Sequence, residues 1–168
     1  MTNWAQMWTD YLAGLDDDQR YAAQALHNRF AELGADEPLA WAFSQVTEGI
    51  PQMARYLILR RFWSEAINQW EQPRAIDALP ATHRLLASGA DRADIARVAR
   101  TAAFETIAAV VNVLDEGFAS DLDDDSLPGW CLQETTRDGT PTGRSIGGLH
   151  ESLLETDPSG NEAEDLWE

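Results

Sequence analysis

Apolar residues recur at helical spacing along the first 117 residues, and this periodicity constrains the fold more than any other feature of the chain. Trp4, Trp8, Tyr11 and Leu15 follow the i, i+4, i+7, i+11 pattern that places side chains on one face of a helix. The same pattern predicts five helical segments, at about residues 4–15, 16–34, 36–70, 80–88 and 91–117. We therefore predict a mainly α protein, a bundle of four to six helices.

Two of these segments have features that set their place in the predicted bundle. The third carries Gly49-Ile50-Pro51 in its middle. Proline lacks an N–H and clashes with the preceding turn, so we expect a kink or break there. The fifth runs from Asp91 to Gly117 and is apolar over most of its circumference. Helices of that kind are normally buried, so we expect the third and fifth segments at the centre of the bundle.

Residues 118–168 differ from the helical body in composition and predict a small β-hairpin. Asp138-Gly139 is a strong turn signal between two candidate strands, residues 130–135 and 142–146. Pro and Gly cluster around this turn, as is typical of a short hairpin.

The tail that follows the hairpin is acidic and mostly polar. Residues 149–155 are predicted as a short helix, and Leu166-Trp167 is an apolar pair near the end. We predict one domain over residues 1–168, with a helical bundle at 1–117 and an acidic appendage at 118–168.

Charge is distributed unevenly along the chain. It has 29 acidic residues against 12 basic ones, all of them Arg, for a formal net charge of −17. Residues 115–168 hold 15 acids and two Arg, a net charge of −13, whereas residues 1–114 carry only −4. Such a surplus disfavours direct nucleic-acid binding and docking on anionic membranes, since both need a basic surface. We expect a basic protein as the partner, because opposite charge accelerates association.

Other sequence features indicate a cytoplasmic protein. We expect no secretory signal, since the first residues lack its basic and apolar regions. No apolar run approaches the roughly 20 residues of a membrane-spanning helix. Cys131 is the single cysteine, so no intramolecular disulfide can form, in keeping with a reducing compartment. The all-Arg, Ala-rich composition is typical of a high-GC bacterial genome or its phages.

The acidic region is the predicted functional site. We expect non-catalytic binding to a basic, nucleic-acid-binding surface of a partner protein, as in an inhibitor or immunity-like protein. The acids would take the place of phosphates, and Trp side chains would fill apolar pockets, because Trp is enriched at interface hot spots. The predicted contact residues are Asp121, Asp123, Asp124, Asp125, Trp130, Asp138 and Trp167.

Two other functions stay open at this point. A polar stripe on the fifth segment includes Glu105, which if buried would suit a small enzyme or a ligand-binding helical bundle. A second copy of the chain would also cover excess apolar helix surface, which predicts a homo-oligomer.

Metal and nucleophile chemistry has little support in the sequence. The Asp-x-Asp-x-Asp motif at residues 121–125 has the opening ligand spacing of a calcium loop. Ser126 and Leu132, however, stand where that loop needs Gly and a bidentate Glu. Cys131 and His150 would make a nucleophile–base pair, but acidic surroundings disfavour a thiolate. We therefore predict no metal site and no cofactor, and name no catalytic residue.

Overall fold

Helices form most of the chain, and one β-hairpin lies near its C-terminus. A computed structural model describes residues 3–120, 122, 124 and 126–167. The predicted mainly α fold with a C-terminal hairpin is confirmed. The α-helices are α1 (Trp4–Ala13), α2 (Asp17–Glu32), α3 (Pro38–Glu48), α4 (Gln52–Arg61), α5 (Pro73–Asp77), α6 (Pro80–Ala87) and α7 (Arg92–Glu116). The other elements are a π-helical turn (Phe62–Ile67), 3-10 turns at Asn68–Glu71 and Glu164–Leu166, and strands β1 (Leu132–Thr135) and β2 (Pro141–Ile146).

Capping residues account for the helix boundaries. Asp16 caps α2, because its carboxylate accepts from the Gln19 backbone N–H at 2.8 Å and the Gln19 side chain accepts from the Asp16 N–H in return. Gly49 caps the C-terminus of α3, and its φ of 73° is a left-handed conformation that glycine adopts without strain. Pro51 follows, so the break predicted in the third segment is confirmed between α3 and α4.

The chain divides into two compact units. The first comprises the chain up to Tyr56 together with Leu132–Gly147. The second comprises Leu57–Cys131 and the chain from Gly148 onward. The arrangement as one domain and one bundle stays a prediction.

An aromatic cluster forms the core of the first unit. Phe30 of α2 is fully buried, and its ring centroid lies 5.9 Å from that of Trp41 and 5.7 Å from that of Tyr56. Trp41 of α3 and Tyr56 of α4 meet edge to face at 5.4 Å. Trp8 of α1 belongs to the same buried cluster. Since aromatic pairs add about 0.5–1.5 kcal/mol beyond area burial, the three pairs among Phe30, Trp41 and Tyr56 stabilise the packing of α2, α3 and α4.

Strands β1 and β2 pair antiparallel in the first unit, as the Asp-Gly turn signal predicts. Leu132 pairs with Ile146 at the open end of the hairpin. The Glu134 carboxylate accepts from the Arg144 guanidinium at 2.8 and 2.5 Å, which stabilises the cross-strand contact. Strand β1 begins at Leu132, so Trp130 lies outside the strand that the sequence predicts for it.

Helix α7 and the C-terminal tail build the core of the second unit. Trp63 of the π-helical turn is fully buried, with its ring centroid 5.7 Å from that of Phe104 in α7. Its indole N–H donates to the Leu153 carbonyl at 2.8 Å. Leu149 and Leu166 of the tail are buried as well. The tail is therefore part of this core, and the expectation of an appendage is wrong for these residues.

The short helix expected at residues 149–155 is also wrong, because this segment forms a run of turns. Nucleating a helix fixes several residues for one hydrogen bond, so short segments follow their tertiary contacts. Here Leu149 and Leu153 are buried without a helix.

Helix α7 itself is confirmed, with Asp91 as its N-cap and Gly117 after its last residue. Its predicted burial on most sides is wrong, because Val98 and Val113 are 70% and 54% exposed. The side that carries Phe104 packs against the π-helical and 3-10 turns, and these short elements cover only part of the helix circumference.

Candidate functional site

The acidic segment after α7 is closed at its base by hydrogen bonds. The carbonyl of Gly117 accepts from the Trp130 backbone N–H at 2.8 Å. The Trp130 indole N–H donates to the carbonyl of Val113, in the last turns of α7, also at 2.8 Å. A Cβ on Gly129 would lie 2.5 Å from the Gly117 oxygen, so this close approach requires glycine. We name residues 117–130 the anchored loop.

The anchored loop keeps large apolar side chains exposed. The exposed fractions are 59% for Phe118, 54% for Leu122, 46% for Leu127 and 40% for Trp130. Single exposed apolar residues are common, but four large ones in one short segment concentrate exposed apolar side chains there. Aromatic residues in such a surface are typical of protein–protein contacts.

The acidic residues of the anchored loop are only partly described. Asp124 is exposed, and its Oδ1 accepts from the Ser126 hydroxyl at 2.6 Å and the Ser126 N–H at 3.0 Å. These two hydrogen bonds hold the pKa of Asp124 below its usual value, so the carboxylate stays charged. The predicted contact residues Asp121, Asp123 and Asp125, and with them the calcium-like motif, lie outside the described residues.

Asp138, a further predicted contact residue, lies in the hairpin turn of the first unit. Its carboxylate accepts from the Thr136 hydroxyl and, at 3.3 Å, from the Thr140 N–H. Both hydrogen bonds lower the pKa of Asp138. This carboxylate therefore stabilises the turn, whatever else it contacts.

Trp167, the last predicted contact residue, lies in the second unit and is 59% exposed. Its ring meets Phe104 edge to face at 6.4 Å, so one edge of the indole is held by the core. Of the predicted contact residues that the structure describes, Asp124 and Trp130 share the anchored loop.

A largely buried carboxylate that the sequence analysis did not single out lies near the end of α7. Asp115 Oδ2 accepts from the His150 backbone N–H at 2.8 Å and lies 2.7 Å from the His150 ring Nδ1. Burial alone raises the pKa of Asp115, but the hydrogen bonds from His150 and the Leu149 N–H outweigh it, so the pKa is lowered. Within the described part of the chain, no hydrogen bond joins His150 to the exposed Cys131.

Glu105 does not supply the buried carboxylate that the enzyme alternative requires. Its side chain is exposed, so this part of the prediction is wrong. Phe104 points to the core, and the next residue lies about 100° further round the helix. Within residues 3–120, 122, 124 and 126–167, no group of three or more His, Cys, Asp or Glu is placed to hold a metal ion.

A cleft of about 540 Å³ opens beside the N-terminal half of α7 in the second unit. Ile76 contributes apolar surface to it, and Arg92 and Arg100 contribute positive charge. Arg100 is buried and pairs with Asp165 at 2.5 Å, while Arg92 pairs with Asp77 at 2.5 Å. The volume falls within the range of small-molecule sites, but protein carboxylates already engage these two guanidinium groups.

No protein-family model, curated protein or solved structure compared with this chain matches it. In the described part of the chain, every helix is too short or too polar to cross a bilayer.

Proposed function

We propose that this protein is a non-catalytic binding protein that covers a basic surface of a partner protein. The observation that carries the proposal is the anchored loop, where Phe118, Leu127 and Trp130 stay exposed on an acidic segment whose ends are joined. In such a surface the apolar side chains supply affinity, and the acids supply steering and orientation.

The closure of the loop supports this function energetically. Association costs free energy for each segment that must be ordered, and a loop already held by Gly117 and Trp130 has less freedom to lose. The charge supports it as well, since residues 115–168 carry a formal net charge of −13. We infer an inhibitor or immunity-like role on a nucleic-acid-binding surface, in the cytoplasm of a bacterium or a phage-infected cell.

Affinity capture tests the proposal. The full chain is immobilised and exposed to a lysate of the organism that encodes it, at about 0.1 M and about 1 M salt. Between these concentrations the Debye length falls from about 10 to about 3 Å. The loop variant carries the two substitutions Phe118→Ala and Leu127→Ala. Its matched control carries Tyr21→Ala and Leu79→Ala, because Tyr21 and Leu79 are exposed outside the anchored loop.

The wild-type chain and the control are expected to capture the same basic protein at low salt. The loop variant and the high-salt condition should each reduce capture roughly tenfold or more. The proposal is wrong if no basic protein is captured, or if the loop variant captures it as well as the control does.

A second candidate function, ligand binding, is favoured by the cleft beside α7. Arg97 lines this cleft. Its guanidinium pairs with Asp94 at 3.7 Å, which is longer than a hydrogen bond, so the guanidinium can still donate to an anionic ligand. Thermal unfolding with small carboxylates and phosphates tests this candidate. A compound should stabilise the wild-type chain and not Arg97→Gln, whereas no stabilisation by any of them contradicts ligand binding.

A further inference from the structure

Helix α7 carries an exposed apolar stripe on the side opposite its buried residues. The stripe consists of Val98, Ala102, Ala109 and Val113, all exposed. Its spacing keeps these side chains on one side of the helix over about 22 Å. The other side holds the buried Phe104 and Val111. We name the stripe the outer face of α7.

An acidic edge runs beside the outer face. Asp94, Glu105 and Glu116 are all exposed and lie 11 residues apart. Eleven residues make about three turns, so the three carboxylates follow one line along the helix, next to the apolar stripe. A binding partner must therefore offer apolar side chains with positive charge along one side.

We propose that the outer face of α7 binds an amphipathic helix of the partner protein, with Arg or Lys residues along the edge that meets Asp94, Glu105 and Glu116. This inference rests on the proposed function and names the segment that is recognised. Ala102 and Ala109 are small, so a second helix can approach at the short end of the usual 8–10 Å interaxial range. Helix-in-groove recognition of this kind uses anchors at helical spacing.

Electrostatic repulsion disfavours a second copy of the chain as the partner that covers the outer face of α7. In a two-fold pair of antiparallel α7 helices, Val98 would meet Val113 and Ala102 would meet Ala109. The same register sets Glu105 beside its own copy, and like charges across an interface are destabilising. A basic helix turns Glu105 and Glu116 into favourable contacts and competes with Arg97, at 3.7 Å, for Asp94.

The outer face is continuous with the anchored loop. Its last residue, Val113, accepts the hydrogen bond from the Trp130 indole at 2.8 Å, so that ring adjoins the C-terminal end of the stripe. A helix along α7 therefore ends beside an exposed Trp, a residue enriched at hot spots.

The probe is a synthetic peptide of about four helical turns, with Leu on one stripe and Arg along one edge. A control peptide has the same composition in an order that destroys the stripe. Fluorescence anisotropy measures binding of both to the full chain. One variant is the double substitution Val98→Asn and Val113→Asn. A second variant is Glu105→Arg. Its control is a separate variant, Asp18→Arg, which makes the same charge change at an exposed position in α2.

The amphipathic peptide should bind roughly tenfold or more tightly than the control peptide. Both α7 variants should weaken it roughly tenfold, and Asp18→Arg by less than about twofold. Circular dichroism verifies that each variant is folded. If the double Asn variant does not fold, the inference is tested by comparing peptide affinity for Glu105→Arg with peptide affinity for Asp18→Arg.

Four outcomes overturn the inference. Equal binding of the two peptides, or peptide binding that is insensitive to Glu105→Arg, rules out recognition by the outer face. If the wild-type chain forms dimers and the double variant Val98→Asn and Val113→Asn does not, a second copy of the chain occupies the outer face. If only the double variant Phe118→Ala and Leu127→Ala abolishes peptide binding, the peptide binds the anchored loop. That result contradicts this inference but leaves the proposed function intact. Failure of the lysate capture alone, with peptide binding intact, contradicts the proposed function instead.

Discussion

Replacing Trp63 by Phe tests whether the C-terminal tail belongs to the core of the second unit. Trp63 is fully buried, and its indole N–H donates at 2.8 Å to the Leu153 carbonyl, 90 positions later in the chain. Trp130→Phe is a matched control, because it removes the same kind of bond, at 2.8 Å to the Val113 carbonyl, from a ring that is 40% exposed.

The expected cost follows from three contributions. The lost hydrogen bond costs about 1 kcal/mol, since the Leu153 carbonyl keeps the Thr156 hydroxyl as a donor at 3.0 Å. The smaller ring leaves a void of roughly 35–40 Å³, which at about 24 cal/mol per Å³ costs about 1 kcal/mol. Lost apolar burial adds about 1 kcal/mol. Trp63→Phe should therefore lower the free energy of unfolding by about 3 kcal/mol, and Trp130→Phe by less than about 1 kcal/mol because water reaches that ring.

Urea unfolding followed by far-ultraviolet circular dichroism measures both values without relying on Trp fluorescence, which the substitutions alter. A cost below about 1 kcal/mol for Trp63→Phe refutes the reasoning. So does a cost no larger than that of Trp130→Phe, because the contact between the π-helical turn and the tail would then contribute little to the core.

Two further predictions concern the end of α7. The pKa of Asp115 is lower in the folded chain than in the unfolded chain, so its contribution to stability is present above about pH 4 and is lost as the pH falls through the folded value. Asp115→Asn should therefore flatten the acid decline of the unfolding free energy, measured by urea unfolding at stepped pH, and an unchanged decline would contradict this. Gly129→Ala places a Cβ against the Gly117 oxygen and should open the base of the anchored loop. Hydrogen exchange at the Trp130 amide should accelerate roughly tenfold or more, whereas Gly147→Ala, with open space around it, should leave that rate unchanged.

Features that depend on near neighbours in the chain could be predicted from the sequence. The capping box at Asp16, the break at Pro51 and the end of α7 at Gly117 each follow from the side chain or backbone of one or two residues. The hairpin is of the same kind, because an Asp-Gly pair favours the turn by itself.

Contacts between distant positions could not be predicted in this way. Asp115 and His150 are 35 positions apart, and Trp63 and Leu153 are 90 apart. Helical periodicity describes which residues share a face, but it does not say which face the fold covers. The central burial expected for α7 fails for this reason, and so does burial of Glu105, which is exposed.

The charge surplus of the sequence points to the segment that contains Asp124 and Trp130, and their role as partner contacts stays a prediction. The sequence could not show that Gly117 and Trp130 join the ends of that segment, because the bond between them depends on the close approach at Gly129.

The acidic surplus of the chain bears on why α7 and the anchored loop can keep apolar residues exposed. Exposed apolar stripes such as the one containing Val98 and Val113 favour self-association, which opposes any other use of that surface. A net charge of −17 opposes the approach of a second copy, and the carboxylates beside the stripe penalise the pairing of two α7 helices in particular. In the proposed function, a basic partner would remove that penalty on binding, so the charges that oppose self-association would favour the partner. The proposal thereby combines specificity by repulsion with specificity by attraction, and it offers a reason for apolar side chains that remain exposed.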